Sequence, residues 1–135
     1  MNVFVDTSAF YAALSETDSN HVKAIHQWDR LLDDGSVTFC TSNYVVVETC
    51  ALVRNRLGDE AMRAFLDELL PLVMVLWVDQ KTHTAATAAM VARGKNGPSL
   101  VDCSSFVVMR ENGIARALAF DGHFASEGLS LQDSE

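Results

Sequence analysis

Short apolar segments alternate with longer segments of helical periodicity along the chain, and this alternation restricts the fold more than any other feature. Apolar runs lie at 2–5, 37–40, 73–78 and 117–120, and a further short run lies at 129–131. Short apolar strands separated by helices are typical of a parallel sheet that is covered on both faces. The sequence therefore predicts an α/β fold, a three-layer α/β/α sandwich with a central parallel sheet.

The intervening segments carry helix signals at both ends. The first helix is predicted to begin at Thr7 or Ser8, and later ones cover 19–33, 43–57, 59–70, 80–93 and 100–112. Asp79 and Ser99 are residue types that cap helix N-termini, and Gly58 and Pro71 are types that end helices. Residues 94–98, GKNGP, are predicted to form a loop.

Length and composition favour one folded domain over residues 1–135. The hydrophobic fraction is 49% and only 2 prolines are present, which argues against disorder. The longest apolar run, 69–78, has 10 residues, whereas a bilayer span needs about 20. The 3 cysteines form no CxxC pair and the N-terminus has no basic leader. We therefore expect a cytoplasmic protein with reduced thiols and no membrane segment.

Two carboxylates follow predicted strands. Asp6 comes directly after the first strand, and Asp121 directly follows the strand predicted at 117–120. The carboxyl ends of parallel strands meet at one edge of the sheet, where ligands bind in such folds. An aspartate after a strand is also a common turn former or helix cap, and this alternative stays open at each position.

Glu48 lies in an apolar stripe of its predicted helix. Its neighbours at i−4, i−3, i+3 and i+4 are Tyr44, Val45, Ala51 and Leu52. A buried carboxylate is costly without a compensating partner. A salt bridge to Arg54 or Arg56 would suffice, but the pattern favours a metal-binding or catalytic role.

Asp102 stands three residues after Ser99, the spacing of a capping box. The same position would also direct the carboxylate toward the preceding loop, where a site could lie. Three or four convergent carboxylates suit a hard, oxygen-seeking cation, so Mg²⁺ or Mn²⁺ fits better than Zn²⁺. Such ions can promote phosphodiester cleavage.

Four motifs in order resemble those of PIN-domain ribonucleases. They are VDTSAF at 5–10, VVVET at 45–49, LVDCSSFVVMRE at 100–111 and AFDGHF at 119–124. Together they extend over nearly the whole chain, and the last two are the most distinctive. The chain looks most like the single-domain bacterial and archaeal type, many members of which are VapC-like toxins.

This resemblance implies an endoribonuclease that cleaves RNA phosphodiester bonds with metal-activated water. It implies that Asp6, Glu48, Asp102 and Asp121 are the catalytic acids and hold Mg²⁺ or Mn²⁺. Thr7 or Ser8, next to these acids, would orient a water molecule or a phosphate. Ser104 of the third motif is assigned the same supporting role. The implied partners are an RNA substrate, a cognate antitoxin that covers the site, and a second copy in a homodimer.

The net charge of −8 argues against nonspecific binding to nucleic acid. Residues 81–116, however, carry five basic and two acidic side chains, a local charge of +3. From spacing alone, solvated helix faces are the better explanation of this local charge. Near the predicted site, Arg93 and Lys95 are candidates to hold RNA phosphates or acidic antitoxin residues. His123 is a candidate for a phosphate contact, with a structural hydrogen bond as the alternative.

Two other functions compete with this interpretation. A Mg²⁺-binding receiver domain of a signalling system also has a parallel sheet, but it needs paired acids after the first strand and a lysine after a late strand. Here Val5 and Thr7 flank Asp6, and Asp121 takes the late position. A PIN-like scaffold that binds RNA or protein without cleaving it is the second alternative, and the four intact acids argue against it.

Overall fold

The structure is a computed structural model that describes residues 1–131 of the chain. The predicted domain, 1–135, thus has its last four positions outside the described residues. In chain order the elements are β1 (Asn2–Val5), α1 (Thr7–Leu14), α2 (His21–Asp33), β2 (Thr38–Ser42), α3 (Asn43–Leu57), α4 (Asp59–Ala64), β3 (Val73–Leu76), α5 (Gln80–Arg93), α6 (Leu100–Glu111), β4 (Arg116–Leu118) and α7 (Gly122–Ser126).

The four strands form one sheet in the order β3-β2-β1-β4, and all three pairings are parallel. The register places Val5 of β1 beside Leu118 of β4 and Phe4 beside Cys40 of β2. The parallel sheet predicted from the alternating pattern is confirmed, and β1 occupies a central position with its carboxyl end beside that of β4.

Helices cover both faces of the sheet. The consecutive residues Val3, Phe4 and Val5 are all fully inaccessible to solvent. Because successive side chains of a strand point to opposite faces, both faces must be packed. This is the three-layer α/β/α arrangement, and it gives a core in which Phe10 of α1 contacts Trp28 of α2 and Phe65 at ring-centroid distances of 5.9 and 4.9 Å.

The helix predicted at 59–70 is interrupted. Regular helix ends at Ala64, and Phe65–Leu69 form a π-helical turn that continues into a 3₁₀ turn at Leu70–Leu72. Pro71 lies in the first turn of the 3₁₀ segment and has no N–H to donate, so regular helical hydrogen bonding does not continue through it. Gly58, at φ +96°, separates this segment from α3.

The predicted strand ends were wrong at three strands. β2 ends at Ser42, two residues beyond its predicted end. β3 ends at Leu76 because the N–H of Val78 donates instead to Oδ1 of Asn43 at 2.7 Å. β4 ends at Leu118, so Asp121 lies three residues beyond the strand. In the segment 129–131 a single parallel bridge joins Ser130 to Ala117.

The helix ends also differ from prediction at two places. α2 begins at His21 because Asp18 accepts the N–H of Asn20 in a turn ahead of the helix. The short helix α7 was not predicted at all. Among the described residues, none of the helices has the length and apolar character needed to cross a bilayer.

Candidate active site

A cavity of about 530 Å³ opens at the carboxyl end of β1. All four predicted acids line it, together with both residues that follow Asp6 and with His123; the lining set is Asp6, Thr7, Ser8, Glu48, Leu52, Gly97, Ser99, Asp102, Asp121 and His123. The parallel pairing of β1 with β4 explains how residues more than one hundred positions apart meet here.

Asp6 is the most buried of the acids, with 3% of its surface exposed. It is the N-cap of α1, and its Oδ2 accepts hydrogen bonds from the N–H and the hydroxyl of Ser8 at 3.1 and 2.7 Å. Its other oxygen, Oδ1, is buried and has no hydrogen-bond partner in the part of the chain that the structure describes. Burial raises the pKa of Asp6 to about 7 against the opposing Ser8 bonds, and the charges of Asp102 and Glu48 raise it further.

Asp102 both caps α6 and faces the cavity. The capping box is present: Ser99 Oγ accepts the N–H of Asp102 at 3.1 Å, and Asp102 Oδ2 accepts the N–H of Ser99 at a long 3.4 Å. Burial raises the pKa of Asp102 to about 6, and the charges of Asp121 and Glu48 add to the increase. The two interpretations of this residue, cap and ligand, are therefore compatible.

Asp121 stands at the N-cap of α7, where its Oδ1 accepts the N–H of His123 at 2.7 Å. One ligand atom from each of Asp102, Asp121 and His123 lies within 4.8 Å of the others, a separation that one metal ion can bridge. The candidate metal group therefore includes His123, which the sequence suggested only for phosphate contact.

Glu48 faces the same cavity from α3. The two arginines that offered an alternative explanation are engaged elsewhere. Arg54 pairs with Asp59 at 3.0 Å, and the guanidinium of Arg56 lies 5.6 Å from the ring of Tyr11. Glu48 instead contributes negative charge to the group formed by Asp6 and Asp102.

Hydroxyl groups fix the floor of the cavity. Ser8 Oγ, which donates to Asp6, also accepts the N–H of Phe120 at 2.9 Å. Thr7 Oγ1 accepts the hydroxyl of Thr49 at 3.1 Å, so the Thr7 hydroxyl keeps its own hydrogen available for donation. Thr49 is fully buried and was not predicted as part of the site, because its role depends on α3 packing against α1.

Three predicted residues do not line the cavity. Ser104 is fully buried within α6, and its hydroxyl donates to the carbonyl of Val101 at 2.7 Å. Arg93 forms an ion pair with Glu127 at 2.8 Å, and Lys95 is exposed on the loop that follows α5.

Two lining residues that sequence reasoning missed are Leu52 and Gly97. A Cβ at Gly97 would lie 2.8 Å from Cβ of Arg93, so only glycine fits there. A glycine in the predicted loop at 94–98 is compatible with a close contact between backbone segments, but it does not indicate that the loop lies at the cavity.

The chemistry of this cavity suits a divalent cation. Two of its carboxylates have raised pKa values because burial and mutual repulsion disfavour their charged forms, and no donor among residues 1–131 reaches Oδ1 of Asp6. A bound cation would relieve both penalties. Oxygen ligands dominate the set, which favours a hard ion.

Comparisons with known proteins agree with this geometry. The family model described as PIN domain matches residues 3–126. A curated relative, the 23S rRNA-specific endonuclease VapC20 of Mycobacterium tuberculosis, is 37% identical over 129 residues, which cover 94% of this chain and 95% of that protein.

Solved structures give the same result. The crystal structure of Mycobacterium tuberculosis VapC20, described as a sarcin–ricin loop cleaving toxin, superposes with a TM-score of 0.81 at 34% identity over 94% of this chain and 95% of that one. VapBC2 from Rickettsia felis, bound to a DNA fragment from the promoter, superposes with a TM-score of 0.69 at 14% identity over 98% of both chains. This second likeness supports the fold alone.

Proposed function

The chain belongs to the PIN-domain family, and on that premise we propose that it is a metal-dependent endoribonuclease, the toxin of a toxin–antitoxin pair. The observation that carries the proposal is the meeting of Asp6, Glu48, Asp102 and Asp121 around one cavity. A receiver domain is not favoured, because the matching family is the PIN domain. A scaffold without activity would have no need of two buried carboxylates with raised pKa values.

Mg²⁺ or Mn²⁺ is the cofactor that we propose. Asp102, Asp121 and His123 would hold it, with Asp6 and Glu48 completing the negative set. When bound, the ion would supply activation of water and neutralisation of charge at the scissile phosphate.

The residues around this set have distinct tasks. Asp6 presents its unpartnered Oδ1 while Ser8 holds Oδ2, so the carboxylate has one fixed and one available oxygen. Thr7 offers a hydroxyl hydrogen to a phosphate or a water molecule, because Thr49 already occupies its acceptor side. Leu52 supplies an apolar part of the wall.

We propose 23S ribosomal RNA as the substrate class, with the sarcin–ricin loop as the first segment to test. The support is the relative named for these activities, which matches this chain at 37% identity over 95% of its own length.

The antitoxin is the proposed protein partner. We propose that it binds in an apolar groove between α1, α2 and the π-helical turn. The groove has a volume of about 260 Å³, and Ile25, Trp28, Leu32 and Leu69 line it. Asp29 and Glu68 stand among them. This combination fits an amphipathic helix of the antitoxin with an apolar face and flanking basic side chains.

A homodimer is proposed as well. Trp77 and Val47 are exposed over 76% and 69% of their surfaces, and the bond from Val78 to Asn43 brings their two segments together. A second copy of the chain would cover these side chains, and light scattering on the wild type and a Trp77→Ser variant would test this. We assign the protein to the cytoplasm because its three cysteines are free thiols.

The proposed function is tested with a synthetic stem–loop carrying the sarcin–ricin sequence. Purified protein should cleave this RNA when Mn²⁺ or Mg²⁺ is present and should not cleave it in EDTA. A scrambled stem–loop of equal length tests the substrate, and full activity on both would restrict the proposal to a general ribonuclease.

A further inference from the structure

A second groove continues from the candidate active site on the far side of Asp121. Its volume is about 480 Å³, and Asp121 lines both spaces. One wall is α2, and the other is the segment from Ala119 through α7 to Leu131. We call this space the α2–α7 groove. An extended ligand with its reacting group at the acids could therefore continue into it.

The α2 wall is polar and regular. Asn20, Lys23 and Gln27 all line the groove, and their spacing of three and four residues places them on one face of the helix. Asn20 occupies the N-cap position of α2, yet its side chain makes no capping hydrogen bond. Asn20 and Lys23 lie on this face beside the buried Gln27, and none of the three has a task in the proposed reaction.

The opposite wall contains an aromatic ring in a fixed place. Nζ of Lys23 lies 5.9 Å from the centroid of the Phe120 ring. The N–H of Phe120 donates to Ser8 Oγ, which in turn donates to Asp6. The ring and the ammonium group are therefore held at a set position relative to the acidic cavity.

We propose that the α2–α7 groove binds the nucleotide next to the cleaved phosphate, with Lys23 contacting the RNA backbone and Phe120 contacting the base. The inference rests on the proposed ribonuclease function and adds a binding site to it. A chain with a net charge of −8 repels RNA, so a lysine at the exit of the acidic cavity has a clear electrostatic use. An aromatic face accepts any base by stacking.

The test compares Lys23→Gln and Phe120→Leu with wild type in cleavage of the sarcin–ricin stem–loop. Lys81→Gln is the matched control, because Lys81 is an exposed lysine on α5 that does not line the groove. We expect Lys23→Gln to raise KM about threefold to fivefold, the range of one exposed ion pair. We expect Phe120→Leu to raise KM about tenfold through loss of stacking.

Neither variant should change kcat more than about twofold, because neither side chain reaches the acids. The salt dependence gives a second, independent readout. One lost phosphate contact should reduce the slope of log kcat/KM against log salt by about 0.7 for a single-stranded segment. Lys81→Gln should leave both KM and this slope at the wild-type values.

The outcomes separate the two proposals. If the wild type neither binds nor cleaves RNA, the ribonuclease function fails and the groove assignment fails with it. If the wild type cleaves but Lys23→Gln matches Lys81→Gln in KM and salt slope, the groove assignment alone is wrong. A Lys23→Gln variant with normal RNA kinetics and weakened antitoxin binding would assign the groove to an acidic segment of the protein partner instead.

Discussion

The hydroxyl of Ser8 donates to Oδ2 of Asp6 at 2.7 Å and accepts the N–H of Phe120 at 2.9 Å. One side chain thereby connects the end of β1 to the segment that follows β4. Because Asp121 lies next to Phe120 in the chain, this hydrogen-bond pair sets the separation of two of the four acids. We therefore infer that Ser8 is a positioning residue for the proposed cation site.

Replacing Ser8 by alanine should weaken cation binding. The substitution removes the side-chain hydrogen bond that opposes the pKa increase of Asp6, while the backbone N–H at position 8 still donates to the carboxylate. The pKa of Asp6 therefore rises further, and a cation must displace more protons at neutral pH. It also leaves the buried N–H of Phe120 without a partner, which costs about 1–3 kcal/mol of unfolding free energy. Calorimetric titration with Mn²⁺ at pH 7 measures the first effect, and denaturant unfolding measures the second.

Ser104→Ala is the matched control for this experiment. Ser104 is a fully buried serine whose hydroxyl bonds to its own helix at Val101 and does not reach the cavity. Its substitution should leave Mn²⁺ affinity at the wild-type value. An equal loss of affinity in both variants would contradict the special role of Ser8. It would mean that Ser104 also supports the site, as the sequence predicted.

The metal-free protein should become less stable as the pH rises from about 4 to about 7. Burial raises the pKa of Asp6 to about 7 and that of Asp102 to about 6 in the folded protein, from an ordinary aspartate pKa of 3.8. In this window the folded state binds more protons than the unfolded state, so the unfolding free energy falls with increasing pH. Above pH 7 this contribution levels off.

Thermal melts in EDTA between pH 5 and 8 test this pH dependence, with Asp6→Asn as the comparison. The amide cannot ionise, so the variant should lose less stability across the range than wild type and should melt higher at pH 8. Identical pH profiles for the two proteins would contradict the raised pKa of Asp6. With saturating Mn²⁺ the unfolding free energy of the wild type should instead rise with pH. The carboxylates must be deprotonated to bind the cation, so binding becomes tighter as the pH increases.

Lys95→Gln should raise KM for RNA, whereas Arg93→Gln should leave it within about twofold of wild type. Arg93 is already paired with Glu127 at 2.8 Å, but Lys95 is exposed on the loop whose Gly97 lines the cavity. Steady-state cleavage of the stem–loop by the two single variants measures the difference. A larger effect at Arg93 would mean that its pair with Glu127 opens on RNA binding.

Residues that follow strands could be predicted from the sequence because one rule places them. Apolar runs located the strands, parallel pairing followed from their spacing, and Asp6 and Asp121 then had to share an edge. Glu48 could be identified because a carboxylate in an apolar stripe needs a partner. These inferences use only local patterns and one topological rule.

The remaining parts of the site depend on contacts that no local pattern encodes. Thr49 reaches Thr7 through the packing of α3 on α1, and Arg93 meets Glu127 from 34 residues away. His123 joins Asp102 and Asp121 because α7 forms, and that short helix had no periodic signal. For Asp102, the capping-box spacing predicted its cap correctly and left its place at a site open, because the same spacing serves both roles.

The dependence of RNA cleavage on Mn²⁺ concentration, compared between wild type and Asp102→Asn, tests the central claim most directly. Asp102 belongs to the candidate metal group, and asparagine preserves its size and its place at the start of α6. We predict saturable activation of the wild type by Mn²⁺ and a loss of at least about 100-fold in kcat for a variant that retains its thermal stability. Wild-type cleavage that persists in EDTA, or a folded Asp102→Asn protein that cleaves at the wild-type rate, would contradict the assignment of these acids to a catalytic cation site.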